Sequence, residues 1–298
     1  MLITIGAFDG FHKGHAQLLN VCRQSSLDGG WGVVTFHPHP SVFMGKVKPL
    51  FTLEEKKLIS KILGIPEMFV LKFDEALKNL TPEEFWRLLT SKINVDGVVM
   101  GSDFRFGRNR EGNADSLREL AIADGLSPSR IITLNLVKKS EYSSSVIRNL
   151  TASGKVKKAA EILGYPFFMM GKVIHGDERG RTMKVPTANL EFDEKRIVPA
   201  FGVYACAVLV RGSWHCGALS IGNNPTFNVD GTRIEVHLPD FNGNIYGEEI
   251  IVMFLERVRD IRKFAGKDEL ISQIKIDIDE CRRCFNFNVN RHTLPLEQ

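Results

Sequence analysis

Five short apolar runs divide the first half of the chain, and their spacing constrains the fold more than any other feature. LITIGAF, GVVTFHP, MFVLKF, VDGVVMG and IITLNLV are short and rich in Val, Ile and Phe, which predicts strands buried on both faces. Helical segments with explicit start signals lie between them. Thr52 with Glu55, and Thr81 with Glu84 behind Pro82, have the spacing of capping boxes. Alternation of this kind predicts an α/β fold: a doubly wound parallel sheet with right-handed crossovers and a ligand crevice at the carboxyl ends of the strands.

After about residue 150 the pattern changes. ASGKVKKAAEILGYP reads as a helix closed by Gly164 and Pro166, a natural joint between domains. FMMGKVIHG, FGVYACAVLV, WHCGALSIG, TRIEVHLPDF and EEIIVMFLERV then follow without intervening helices, which predicts a small antiparallel β-barrel. An amphipathic segment, KDELISQIKIDIDECRRCF, closes the pattern as a helix. The expected organisation is therefore a first domain over 1–150, a connecting helix over 151–166 and a second domain over 167–298. A length of 298 residues agrees with two cores rather than one.

A net charge of +4 spread among interleaved acidic and basic residues is too mild for a nucleic-acid groove and suits small anionic ligands. The five cysteines are odd in number and mostly far apart, which fits a reducing compartment. Cys281 and Cys284 read as same-face helix residues rather than a zinc or redox pair. MLITIGAF lacks a basic leader, and no uncharged apolar run approaches the roughly 20 residues needed to span a bilayer, so the expected location is cytoplasmic.

The chemistry concentrates in two places. GAFDGFHKGH (6–15) follows the first strand, turns at Asp9-Gly10 and enters a helix near His12 to Gly14. A helix N-terminus presents unpaired N–H groups and partial positive charge, glycines let a ligand approach the backbone, and His12 and His15, three apart, fall on one helix face. Such donors suit phosphoryl or nucleotidyl transfer, in which charge grows on phosphate oxygens. The bland alternative is a strand-helix turn with two solvated histidines. SSSVIR (143–148) opens another helix after the fifth strand, so Ser144 and Ser145 can take phosphate and Arg148 can supply charge; alternatively a serine simply caps a helix. GSDFRFGRNREGN (101–113) is a basic glycine loop after the fourth strand. In TFHPHP (35–40) the prolines predict an extended loop, with His37 and His39 structural.

The second place is HGDERGRTMKVPTANLEF (175–192), where Gly176, Gly180, Arg179, Arg181 and Thr182 precede PTAN. A basic glycine loop offers amides and guanidinium groups to phosphate. Thr187 and Asn189 alternate in an extended strand, so their oxygens share a side and suit a hard cation such as Mg²⁺. Downstream, RIEVHL places Glu235 and His237 on one strand face; Glu235 is either a proton acceptor for a hydroxyl or one half of a cross-strand ion pair.

GAFDGFHKGH resembles the GxFDGxHxGH signature of the nucleotidyltransferase superfamily. TFHPHP, GSDFRFGRNREGN and SSSVIR resemble the adenylyltransferase module of the bacterial bifunctional riboflavin kinase/FAD synthetase family, and PTAN, Glu235, SIGNNPTF and the closing helix resemble its kinase module. The resemblance spans nearly the whole chain. It implies that the C-terminal barrel converts riboflavin and ATP to FMN, and that the N-terminal domain converts FMN and ATP to FAD and pyrophosphate, both with Mg²⁺. It also implies that Gly6, Phe8, Asp9, Gly10, Gly14, Asp103, Ser144, Ser145 and Arg148 line the adenylation site around His12 and His15. Gly176, Gly180 and Arg181 would hold kinase phosphates, Thr187 and Asn189 the metal, and Glu235 would be the base. The implied partners are small molecules, ATP, riboflavin and FMN, with neither nucleic acid nor membrane. Lys184 stands where the family usually has glycine, Ile261 where an acidic residue is common, and Ala7 where a polar residue is common. Two further readings stay open: a chain whose kinase step Lys184 has disabled, and a nucleotide-binding module fused to an RNA-binding barrel.

Overall fold

A computed structural model describes residues 1–27, 30–136, 141–175, 185–223 and 232–289, and the chain divides into two compact units, Met1–Ser144 and Ser145–Gln298. In the first unit, β1 (Leu2–Ile5), α1 (Lys13–Ser25), β2 (Trp31–His37), α2 (Pro40–Phe43), α3 (Leu53–Ile62), β3 (Glu67–Lys72), α4 (Glu75–Lys78), α5 (Pro82–Lys92) and β4 (Gly97–Gly101) succeed one another. A small hairpin of β5 (Arg105–Phe106) and β6 (Gly112–Asn113) follows, then α6 (Ala114–Ala123) and β7 (Ile131–Leu134). The five apolar runs form one parallel sheet in the order β3-β2-β1-β4-β7. Both capping boxes are present, at Thr52/Glu55 and Thr81/Glu84.

One face of this sheet buries Ile3, Ile5, Val34, Val98 and Met100 against Phe85, Trp86 and Leu89 of α5 and Leu117 of α6. α1 packs on β1 and β4 and buries Leu18, Leu19 and Cys22. The order places β2 and β3 on one side of β1 and β4 and β7 on the other, so the topological switch point lies between β1 and β4. Ligands of open α/β sheets bind at that point, outside the carboxyl ends of the strands. GAFDGFHKGH begins where β1 ends.

Two local expectations need correction. Pro40 does not extend a loop; it sits at the first position of α2, where a missing N–H costs nothing, and His39 Nδ1 accepts from Ser41 N–H to cap the turn (3.0 Å). The basic glycine segment 101–113 is no simple loop, because Arg105 and Phe106 pair with Asn113 and Gly112 in the β5–β6 hairpin.

The second unit contains α7 (from Ser144 to Ala152), α8 (Val156–Leu163), β8 (Phe168–Ile174), β9 (Ala188–Glu191), β10 (Gly202–Val210), β11 (Ser213–Asn223), β12 (Thr232–His237), β13 (Glu249–Arg259) and α9 (Lys267–Val289). Its six strands close into a barrel in the order β10-β11-β12-β9-β8-β13. Gly164 ends α8 in the left-handed conformation (φ 93°). β10 is buried along nearly its whole length, on the inside by the barrel and on the outside by α9, which packs on β10, β11 and β13. Double burial explains why FGVYACAVLV reads as continuous apolar sequence rather than strict alternation. Cys216 and Cys281 meet in the layer between barrel and helix, with Cys284 packed against them, so CxxC is a core feature. Burial pushes the Cys281 thiol far up, and the Cys284 thiol to about 11.

Candidate active sites

In the first unit the chain leaves β1 through a tightly bent segment. Phe8 (φ 43°), Gly10 (φ 98°) and Phe11 (φ 38°) all adopt positive φ, a conformation that costs bulky residues energy and is typical of functional turns. Burial holds the turn: Phe8 and Phe11 are inaccessible and stack in parallel with centroids 5.3 Å apart. Asp9 is also buried, and both carboxylate oxygens accept from Leu50 N–H (3.3 Å each), which ties the segment before α3 to the turn. Asp9 thus braces the cradle from behind.

His12 is the N-cap of α1, and its ring stacks on that of His15 with centroids 3.8 Å apart and planes 21° from parallel. Phe8 meets His15 edge-on at 5.1 Å. His15 Nδ1 is buried without a hydrogen-bond partner among the described residues. Burial first, then the positive charge or potential of His12, Lys56 and His39, holds the His15 pKa well below the ordinary imidazole value. His15 is therefore neutral at physiological pH and offers one N–H donor. Gly14 permits the arrangement, because a Cβ there would stand 2.9 Å from the Tyr142 carbonyl oxygen and 3.1 Å from the His12 ring. The Oγ of Ser144, the last residue of the first unit, donates to the Asp9 carbonyl oxygen (2.7 Å). Gly6 directly follows β1, and Asp103 is exposed in the turn after β4. The division between units falls within SSSVIR, which leaves Ser145 and a buried Arg148 on the second unit.

Lys56, on α3, was not distinguishable by sequence. It is only 3% exposed, and its Nζ donates to the Ala7 carbonyl oxygen (2.9 Å), which also accepts from Thr35 Oγ1 (3.0 Å). A buried cation thus lies directly beneath the cradle. Within TLEEKK it looks like any solvated helix lysine.

The second unit carries a cavity of about 480 Å³ between the barrel and α9. Thr187, Arg233, Glu235 and His237 are among its polar lining residues, and Ile261, Phe264, Leu270 and Ile274 among its apolar ones. Both Glu235 and His237 face this cavity, as their shared strand face predicts. Asn189 opposes Glu235 across the β9–β12 ladder, and Thr187 immediately precedes β9. His237 Nδ1 lies 2.7 Å from the Pro186 carbonyl oxygen, which anchors PTAN to β12. Arg233 Nη2 pairs with Glu235 Oε1 (2.6 Å), a same-strand ion pair rather than a cross-strand one, and Arg233 Nε donates to Asn189 Oδ1 (2.8 Å). Arg259 grips Asp277 of α9 through Nε and Nη2 (3.0 and 2.7 Å), closing the helix over the cavity. Gly176, Arg179, Gly180, Arg181, Thr182 and Lys184 lie outside the described residues.

Two family models match this chain, FAD synthetase over residues 1–146 and riboflavin kinase over residues 163–285. The bifunctional riboflavin kinase/FMN adenylyltransferase of Listeria monocytogenes is 36% identical over 291 residues, covering 95% of this chain and 92% of that protein. The chain belongs to the bifunctional riboflavin kinase/FMN adenylyltransferase family. Proteins of the same description from Bacillus subtilis (37% identity, 96% and 92% coverage) and Escherichia coli K12 (33%, 95% and 92%) agree. A solved structure described as a macrolide-efflux protein from Streptococcus pneumoniae matches with a TM-score of 0.83 and 33% identity, over 94% of this chain and 93% of that one. Among the described residues no helix is long and apolar enough to cross a membrane. Family membership over both halves disfavours the two rival readings.

The family's departures can be placed in part. Ile261 lines the cavity, and Ala7 offers its carbonyl oxygen to Lys56 and Thr35. A side-chain change at residue 7 thus leaves that contact available.

Proposed function

We propose that this chain performs two successive steps of flavin cofactor synthesis: riboflavin and ATP to FMN and ADP in the barrel, then FMN and ATP to FAD and pyrophosphate in the α/β unit. The observation that carries the reading is the barrel cavity lined by both apolar and polar residues. Its apolar residues suit a flat heteroaromatic ring, and a carboxylate, Glu235, and the hydroxyl of Thr187 line the same space.

In the kinase step the terminal ribityl hydroxyl loses its proton to Glu235 as its oxygen bonds to the γ-phosphorus of ATP, and the bond to ADP breaks. Thr187 Oγ1 and Asn189 Oδ1 are neutral, hard oxygen donors of the kind Mg²⁺ accepts beside nucleotide phosphates. Bound there, the ion would neutralise phosphate charge. In the adenylation step an FMN phosphate oxygen attacks the α-phosphorus of ATP and pyrophosphate leaves. His12, His15 and the α1 N-terminus donate hydrogen bonds to the oxygens on which charge develops. The strained turn and its buried braces hold these donors in place before substrate arrives. The partners are small molecules in the cytoplasm, with neither nucleic acid nor membrane as ligand; five free cysteines support that compartment.

The test is chromatography of riboflavin, ATP and Mg²⁺ incubated with the full chain. Wild type yields FMN and then FAD, whereas Glu235→Gln yields no FMN from riboflavin yet still converts FMN to FAD. Loss of both activities in Glu235→Gln, or neither product from wild type, refutes the two-site reading.

A further inference from the structure

We infer that Arg233 is a positioning residue of the kinase half: it holds Glu235 in place throughout, and it occupies Asn189 until Mg²⁺ and nucleotide displace it from that residue. The inference rests on the kinase reading above. One planar guanidinium spans two groups with different tasks, its Nη2 on Glu235 Oε1 at 2.6 Å and its Nε on Asn189 Oδ1 at 2.8 Å. Glu235 and Asn189 are direct partners in the β12–β9 ladder, so the fork ties side chains whose backbones are already paired. Arg233 and Glu235 are both half-buried (23% and 30% exposed) on the cavity wall, and Asn189 is buried. A bifurcated grip of this kind needs the arginine fork, which a lysine point charge does not reproduce.

The grip has opposite consequences for its two ends. At Glu235 it neutralises a carboxylate facing a partly apolar cavity and fixes its direction, which favours turnover. At Asn189 it places a fixed positive charge on an oxygen that a divalent cation would use. Two cations within hydrogen-bond reach of one oxygen repel strongly where water screens poorly. Metal-nucleotide binding must therefore break the Arg233–Asn189 contact, and part of its binding free energy is lost in doing so. Arg233 weakens Mg²⁺-nucleotide binding while it supports the chemistry.

Calorimetric titration of the full chain with Mg²⁺·ADP, combined with steady-state kinetics of FMN formation, tests this opposition. Arg233→Gln should bind Mg²⁺·ADP about threefold or more tightly than wild type, with a lower KM for ATP, while kcat falls about tenfold. Arg233→Lys, which keeps the charge without the fork, should tighten binding less and lose less kcat. An unchanged unfolding midpoint in calorimetry shows that the barrel of each variant is folded, and Arg233→Lys supplies the same sign should Arg233→Gln fail to fold. A purely structural arginine would lower affinity and turnover together. Unchanged or weaker Mg²⁺·ADP binding in a folded variant overturns the inference. A wild-type chain that forms FAD from FMN but no FMN from riboflavin overturns the kinase reading, and the inference with it.

Discussion

The imidazole rings of His12 and His15 stack 3.8 Å apart at the mouth of the first parallel strand. Two imidazolium ions at that distance would repel, and burial adds to the cost of charging His15. The sign of the resulting pH dependence follows. The unfolded chain takes up a proton at His15 near the ordinary value of about 6.5, whereas the folded chain refuses it until much lower pH. This contribution to stability is therefore complete above the ordinary value and is lost as pH falls below it. Urea unfolding of the full chain between pH 7.5 and pH 5 should show stability falling with acid, and His15→Asn should flatten that slope. An identical slope in the variant would refute the assignment.

Lys56 contributes to that same balance from beneath. After burial and His12, its charge is a cause of the lowered His15 pKa, and its Nζ holds the Ala7 carbonyl. Lys56→Met should raise the His15 pKa toward the ordinary value, measurable by NMR titration of its ring protons. The lost charge-assisted hydrogen bond should also cost about 1.5–3 kcal/mol of stability. FMN formation from riboflavin, which takes place in the other unit, should be retained.

Gly14 tests the geometry of the cradle rather than its charge. A methyl group there would press on the Tyr142 carbonyl oxygen and the His12 ring, neither of which is the free end of a flexible chain. Gly14→Ala should reduce FMN adenylation roughly 100-fold, since misplacement of a catalytic group by about 1 Å costs that much. Riboflavin phosphorylation measured on the same preparation should remain within about twofold of wild type, because substitutions with no shared partners act independently.

The architecture was legible because its signals are local. Five apolar runs gave the five parallel strands, and Thr52/Glu55 and Thr81/Glu84 gave real capping boxes. His12 and His15 were legible for the same reason, since helical spacing alone brings them together. Lys56 and Arg233 were not. TLEEKK and TRIEVHL present ordinary charged residues, and only the approach of Lys56 to the turn after β1 and the pairing of β9 with β12 bury one and bridge the other. Pro40 misled because proline forbids a helix interior yet suits its first turn. The barrel cavity was also hidden, being made by α9 returning over strands that lie far away in sequence.

Closure of that cavity depends on Arg259 and Asp277. Asp277 is 5% exposed and Arg259 19%, and two guanidinium nitrogens hold the carboxylate while Gln273 Nε2 donates to it as well (2.8 Å). Arg259 and Arg262 also lie over the Phe264 ring, at 5.6 and 4.8 Å, so Arg259 holds a lining aromatic as well as the helix. Removing one partner of a buried pair leaves the other charge uncompensated and costs about 3–5 kcal/mol. Asp277→Ala should therefore lower the second unfolding midpoint in calorimetry and weaken riboflavin binding, read by quenching of flavin fluorescence. Replacing both members, Arg259→Met with Asp277→Leu, removes the uncompensated charge, so the double variant should be more stable than Asp277→Ala alone. It should still bind riboflavin less tightly than wild type, because Phe264 loses one of the two cations over its ring. A double variant less stable than Asp277→Ala would show that the pair contributes net stability beyond closing the helix.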